Sequence, residues 1–187
     1  MLIACAISVL PLNVYAVDFP LKCADAKTYS IRISNVMKGC NPSELSLGAG
    51  AIFTSSMDKK ELDPQLHARF KAAQTKAAAE GVKIYITSGF RSYARQKALF
   101  NVALKKYGNY KRAARWVSPP EISHHPQGLA IDVNYPNDRK GAAWLEKYGS
   151  EFGLCRVFEN EWWHFEPNIG PGWRCPKMFK DASELLP

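Results

Sequence analysis

Two segments, about thirty residues apart, contain histidines and acids. They limit more than any other feature what this chain can fold into and do. Residues 123–132 read SHHPQGLAID and include His125 and Asp132, and residues 161–164 read EWWH and end at His164. Two imidazoles and one carboxylate suit a zinc ion, and three protein ligands leave a fourth tetrahedral position open, as in catalytic sites. The two segments therefore predict a catalytic zinc site formed by these three residues.

Glu161 lies three residues before His164 and is the predicted general base of this site. Zinc lowers the pKa of a bound water to roughly 7, so a neighbouring carboxylate can accept a proton from it at neutral pH. The alternative for Glu161 is an ion pair with an arginine.

Both segments have the composition of strands. Residues 128–133 are rich in branched apolar side chains and predict a buried strand on which Gly128 and Asp132 share a face, leaving room for an ion. Residues 161–165 also predict an extended chain at the histidine end. Trp162 and Trp163 would then face opposite sides, one in the core and one in the wall of a cleft, and the pattern leaves open which is which.

A third segment, residues 88–96 (SGFRSYARQ), follows a predicted strand and opens a helix capped by Ser92. Arg91 lies at this junction, where a fixed cation can bind a peptide carboxylate or stabilise an oxyanion. We expect Gln96 and Tyr93 to support substrate binding from the same helix. A surface salt bridge is the alternative for Arg91.

In these three segments the chain resembles the zinc D,D-peptidases, namely the VanY-type D-alanyl-D-alanine carboxypeptidases and the VanX-type dipeptidases. The shared patterns are S-x-H-x-x-G-x-A-x-D, E-x-W-H and the segment around Arg91, and the resemblance covers roughly residues 60–170. It implies an α+β fold in which a small antiparallel sheet carries the zinc site and helices flank it. It also implies that Ser123 binds the terminal carboxylate of the substrate. His124 stands where Glu is common in the family, and we expect it to be a spectator or to support a ligand.

The resemblance implies a zinc carboxypeptidase that removes the terminal D-alanine from peptidoglycan stem peptides. A D-Ala-D-Ala dipeptidase and an endolysin-like endopeptidase stay open, because many carboxypeptidases have Pro where this chain has Trp162. A non-catalytic zinc-binding module is the remaining alternative, and Glu161 argues against it because a binding module needs no base.

The 187 residues, 47% of them apolar, suit one domain with a substantial core. Residues 1–16 are apolar and uncharged and end in V-Y-A, which predicts a signal peptide, with an ordinary strand as the alternative. Residues 17–57 are read as an N-terminal arm and residues 58–187 as the catalytic domain. We expect an exported protein, periplasmic or cell-wall associated, that is monomeric and has no membrane span.

Four cysteines remain if residues 1–16 are removed, and four cysteines allow three pairings. We favour the two pairs that each close a local loop. One of these two loops would enclose the segment that contains the predicted base. The alternative is buried free thiols. The favoured pairs are Cys23–Cys40 and Cys155–Cys175.

The chain is basic, with 25 Lys and Arg against 17 Asp and Glu and a net charge of +8. Residues 105–115 contain five of these cations, interleaved with Tyr107 and Tyr110. A basic segment with aromatics fits nucleic acid, an anionic cell-wall polymer or a solvated helix face. With a peptidoglycan stem peptide as the implied partner, we expect no nucleic acid.

Local patterns also predict the main helices. Asp63 and Pro64 are suited to the cap and first position of a helix that ends at Gly81, and His67 on that helix is read as a surface residue. Further helices are predicted at residues 92–107 and 139–148, and further strands at 82–87 and 152–157.

Overall fold

Two antiparallel sheets and four α-helices make up the described part of the chain. The structure, a computed structural model, describes residues 21–25, 27–28, 31–34, 38–52 and 61–187, so the predicted signal peptide lies outside the described residues. The strands are β1 Leu21–Asp25, β2 Ile31–Ser34, β3 Glu44–Ser46, β4 Ile86–Ser88, β5 Ile131–Val133, β6 Cys155–Arg156 and β7 His164–Glu166. The helices are α1 Pro64–Ala79, α2 Tyr93–Tyr107, α3 Tyr110–Ala114 and α4 Arg139–Tyr148.

The larger sheet has the strand order β4-β5-β7-β6, and all its neighbouring strands are antiparallel. Successive residues of a strand point to opposite faces. Ile131 and Val133 therefore enter the core, where both are fully buried, while Asp132 between them faces the other side. Asp132 pairs with His164 on β7 and with Ser88 on β4. The α+β prediction is confirmed, and this register brings Asp132 and His164, two of the predicted metal ligands, side by side.

The strands are shorter than the sequence patterns predict. Residues 125–127 form a 3-10 helix, and Gly128 ends it in the left-handed region with φ 69°, so the strand begins at Ile131 rather than at Gly128. Gly128 therefore does not share a strand face with Asp132, and the prediction was wrong there. Residues 161–163 likewise form a turn before β7 instead of an extended chain.

The predicted helix ends are confirmed. Asp63 accepts hydrogen bonds from the backbone N–H groups of Gln65 and Leu66, and Pro64 is the first residue of α1. Ser92 caps α2, and Gly108 ends it in the left-handed region. These side chains pair the backbone groups that a helix end leaves without an intrahelical partner.

A fully buried arginine, Arg69 on α1, ties this helix to distant segments. Its guanidinium donates to the carbonyl oxygens of Leu47 at 2.8 Å, Ile169 at 2.8 Å and Gly153 at 3.2 Å, and also to that of Gly50. Burial lowers the pKa of Arg69 to about 10, so it still carries its charge at neutral pH. The charge is solvated by backbone dipoles in place of water.

Both favoured disulfides, Cys23–Cys40 and Cys155–Cys175, are confirmed. The first links β1 to the loop before β3 in the small sheet of order β2-β1-β3. The second encloses the turn that precedes β7. No helix in the described ranges is long and apolar enough to cross a membrane.

Candidate active site

Three buried side chains converge on one point at the edge of the larger sheet. Nε2 of His125 lies 3.4 Å and Nδ1 of His164 lies 3.2 Å from Oδ1 of Asp132. The three ligand atoms all lie within 4.8 Å of one another. Ligand atoms of a tetrahedral zinc ion, at about 2.0–2.2 Å from the metal, are roughly 3.3–3.6 Å apart. The two measured separations are close to the edge of such a tetrahedron, so the donor set fits a zinc ion.

Hydrogen bonds on the far side of each imidazole fix which nitrogen faces the centre. Nδ1 of His125 donates to the carbonyl oxygen of Gly89 at 2.7 Å. Nε2 of His164 donates to Oε1 of Glu166 at 2.9 Å. The opposite nitrogen of each ring is the one that approaches Asp132. Metal-binding histidines are usually oriented in this way by a carbonyl or a carboxylate.

The electrostatics of the cluster favour a cation. Burial raises the pKa of the Asp132 carboxyl, but hydrogen bonds with His125 and His164 outweigh it and hold that pKa well below its usual range. Burial lowers the pKa of His125, which suits a neutral ligand. Burial also acts to lower the pKa of His164, yet contacts with Asp132 and Glu166 raise it well above the usual value. The negative potential that attracts a proton to His164 also attracts a divalent cation.

Glu161 lies in the turn before β7, beside the cluster. Its Oε2 atom is 3.8 Å from Nδ1 of His164, and its side chain is 12% exposed. Burial raises the pKa of Glu161 above that of an ordinary glutamate. A carboxylate with a raised pKa next to the cluster is placed to accept and return protons.

Arg91 lies between β4 and α2, as predicted, and is held by three partners. Its Nη2 atom donates to Oδ2 of Asp132 at 3.0 Å and to Oγ of Ser88 at 2.8 Å, and its Nη1 atom donates to Oε1 of Gln96 at 2.7 Å. Gln96 is itself buried, and its amide N–H donates to the carbonyl oxygen of Ser118. Gln96 thus contacts Arg91 directly and holds it in place.

The cluster opens into a cleft of about 290 Å³. Trp163 lines the cleft, whereas Trp162 packs against the core, which resolves the alternative that the sequence left open. Tyr135 packs on Trp163 with ring centroids 4.3 Å apart. The side chains in the wall of the cleft include Arg91, Ser123, Glu161, Trp116, Tyr135 and Trp163.

Some residues lie elsewhere than the sequence suggests, and others were missed. Tyr93 is not among the cleft-lining side chains within the described ranges; it is 40% exposed, and its hydroxyl donates to Glu121 at 2.7 Å. Tyr93 is the first residue of α2, and its side chain contacts Glu121 and not Arg91 or Gln96. The sequence patterns did not identify Glu166 as a partner of His164. Its position two residues after His164, on the same face of one strand, could have indicated this role. Trp116 was also missed, because its place in the cleft depends on how the segment after α3 packs.

The fold and this buried His–Asp–His cluster define the class of protein, a peptidase of the D,D-peptidase fold. A solved structure of the vancomycin-resistance D,D-pentapeptidase VanY in complex with Zn(II) superposes with a TM-score of 0.51 at 24% identity, covering 58% of this chain and 74% of that one. This likeness shows the fold. The family model described as VanY, D-alanyl-D-alanine carboxypeptidase, matches residues 59–166, and the chain belongs to this family of peptidoglycan-acting peptidases.

The chain is also similar to two curated relatives. It is 27% identical over 129 residues to a D-alanyl-D-alanine carboxypeptidase of Enterococcus faecalis, covering 56% of this chain and 46% of the relative. It is 32% identical over 135 residues to the peptidoglycan L-alanyl-D-glutamate endopeptidase CwlK of Bacillus subtilis. This match covers 67% of this chain and 72% of the relative. The chain thus spans about half the length of the first relative and most of the second.

Proposed function

We propose that this protein is a zinc-dependent carboxypeptidase that hydrolyses the terminal D-Ala–D-Ala bond of peptidoglycan stem peptides. The observation that carries the proposal is the convergence of His125, Asp132 and His164 beside a buried carboxylate, Glu161, at the base of a cleft. The membership of the VanY family and the name of the Enterococcus faecalis relative support the substrate class.

His125, Asp132 and His164 would hold the zinc ion. When bound, zinc supplies Lewis-acid polarisation of the scissile carbonyl and lowers the pKa of the attacking water. The two histidines contribute neutral nitrogens whose orientation Gly89 and Glu166 determine through the hydrogen bonds described above.

Glu161 transfers the proton. It accepts a proton from the attacking water as the new C–O bond forms, and it delivers that proton to the amine of the departing D-alanine as the C–N bond breaks. Its raised pKa makes it a stronger base than an exposed glutamate, and its burial keeps bulk water from competing for the proton.

Arg91 and Ser123 bind the substrate in this proposal. Three hydrogen bonds hold the guanidinium of Arg91 at the cleft, so its charge is positioned before substrate arrives and can stabilise negative charge on the attacked carbonyl. Ser123 is 4% exposed and lines the cleft, where its hydroxyl would hydrogen-bond the terminal carboxylate of the peptide.

An endopeptidase is the second candidate. The relative CwlK is named as an endopeptidase, and the match covers 72% of its length. Trp116 and Tyr135, which line the cleft, are also 58% and 45% exposed, so a longer chain could contact them at the surface. The bond cleaved is then internal to the stem and not at its carboxyl end.

Product analysis separates these functions. The purified protein is incubated with a soluble pentapeptide stem, with free D-Ala-D-Ala and with crosslinked muropeptides, and products are identified by mass spectrometry with and without a chelator. The proposal expects chelator-sensitive loss of one alanine residue from the pentapeptide. Cleavage of the internal L-alanyl-D-glutamate bond would establish the endopeptidase, and cleavage of the free dipeptide alone would establish the dipeptidase.

We also propose that the protein works outside the cytoplasm. Its substrate class lies in the cell wall, and disulfides such as Cys155–Cys175 persist in oxidising compartments. Fractionation of expressing cells followed by detection of the protein in the periplasmic or wall fraction tests this location.

A further inference from the structure

We infer that an exposed basic face, formed by α2, α3 and the two residues after α3, binds the anionic glycan–peptide polymer to which the cleaved stem is attached. This inference rests on the proposed function and extends it, because it assigns the part of the substrate that lies outside the cleft. We call this surface the basic face, and it consists of Lys105, Lys106, Tyr107, Lys111, Arg112, Arg115 and Trp116.

The positive charge of the protein is concentrated here. Residues 92–120 contain seven Lys or Arg and no Asp or Glu, while the whole chain has a net charge of +8. The remainder of the chain is thus close to neutral. All five cations of the basic face are exposed. A helix surface that serves only to contact solvent usually contains both signs of charge, paired at helical spacing. Residues 92–120 contain no acidic residue and so no such pairs.

An aromatic platform lies within the basic face. The rings of Tyr107 and Trp116 stack with centroids 5.8 Å apart and planes inclined by 17°. Lys106 lies over the Tyr107 ring at 5.2 Å, and Trp116 is 58% exposed. Because the two rings stack on each other, the exposed Trp116 ring is the one that can contact a ligand. Aromatic and Arg side chains are enriched at binding surfaces, and the flat face of an aromatic ring suits the apolar face of a sugar.

The basic face is continuous with the cleft. Trp116 both belongs to the basic face and lines the cleft that contains Glu161. The neighbouring Arg115 accepts a hydrogen bond at its carbonyl oxygen from Asn160, the residue before Glu161. A polymer bound on this face can therefore extend past Trp116 into the cleft.

This continuity identifies the occupant. A polymer whose stem peptide is in the cleft brings its sugars and the rest of the stem across the cleft rim. The name of the CwlK relative states that such stems contain D-glutamate, an acidic residue. Sugar rings and carboxylates match aromatic and cationic side chains, and a polymer with repeated carboxylates engages several cations at once. The favoured partner is therefore peptidoglycan itself and not nucleic acid.

The test measures binding separately from catalysis. Full-length protein carrying Glu161→Ala, which prevents digestion, is co-sedimented with purified sacculi from which phosphodiester polymers have been removed. One variant also carries Lys105→Gln, Lys106→Gln, Lys111→Gln and Arg112→Gln. A matched control carries Lys83→Gln, Lys140→Gln, Lys177→Gln and Lys180→Gln, which remove the same charge from exposed sites elsewhere.

We expect the variant of the basic face to bind the stripped sacculi at least tenfold more weakly, and the control less than twofold. Binding of the parent should weaken as salt rises, because screening reduces the attraction between exposed charges. Equal binding by all proteins overturns the inference. So does binding that needs the phosphodiester polymers, or equally tight, variant-sensitive binding to double-stranded DNA.

Catalysis provides the second readout. With Glu161 restored, the same four substitutions on the basic face should leave kcat/KM for the soluble pentapeptide within twofold of wild type and reduce it for intact sacculi. An equal loss on both substrates overturns the inference. Failure of the unsubstituted protein to release D-alanine from the soluble peptide refutes the proposed function instead, so the two failures are distinguishable.

Discussion

Nε2 of His164 donates to Oε1 of Glu166 at 2.9 Å, and Glu166 is buried. The second carboxylate oxygen of Glu166 accepts from Nδ1 of His124 at 2.7 Å. Burial would raise the pKa of Glu166, but these two hydrogen bonds outweigh it and lower the pKa to about 2. Glu166 is therefore ionised and holds the His164 ring with its other nitrogen toward Asp132. His124 completes this arrangement.

Glu166→Gln should weaken zinc binding by about 10- to 100-fold, the usual effect of losing the partner of a metal-bound histidine. An amide oxygen still accepts a hydrogen bond but does not supply the negative charge. The dissociation constant is measured by competition with a chromophoric chelator. Glu159→Gln, at an exposed site nearby, is the control. An unchanged zinc affinity for Glu166→Gln would show that this carboxylate does not position His164.

Glu161→Gln should retain zinc and lower kcat by about 10²- to 10⁴-fold, the range for loss of a general base. The amide cannot accept the proton of the attacking water. Alanine release from the pentapeptide gives kcat, and metal analysis of the same sample gives the zinc content. Turnover near that of wild type would refute the assignment of Glu161 as the base.

His164→Ala should lose stoichiometric zinc, because only two ligand side chains remain. His67→Ala is the matched control, since His67 is exposed on α1 and away from the cluster. Zinc per protein is measured after dialysis against a weak chelator. If His164→Ala keeps one zinc ion per chain, the proposed ligand set is wrong.

Arg69→Met should reduce the free energy of unfolding by at least about 3 kcal/mol. The substitution leaves three buried carbonyl groups, and the partly buried carbonyl group of Gly50, without their donor. Each unsatisfied buried group costs about 1–3 kcal/mol, some of which water recovers. Urea denaturation followed by fluorescence measures the change. Arg95→Met, at an exposed position on α2, should change stability by less than about 0.5 kcal/mol. Similar stabilities for both variants would contradict a structural role for Arg69.

The sequence by itself determined the features that depend on residue type at short spacing. The caps Asp63 and Ser92 and the helix stop at Gly108 were predictable because each acts on the backbone within a few residues. Both disulfides could be favoured because each closes a short loop. The three members of the His–Asp–His cluster could be identified because zinc accepts few kinds of ligand.

Only the tertiary structure decided the rest, because it depends on strand register and on contacts between distant residues. The strand beginning at Ile131, and not at Gly128, follows from the 3-10 helix before it. The bond from His124 to Glu166 spans 42 residues, and that from Arg69 to Ile169 spans 100. Trp163 in the cleft and Trp162 against the core likewise depend on how the turn before β7 packs. A local pattern contains no information on such pairings, since the partner is chosen by the packing of the whole chain.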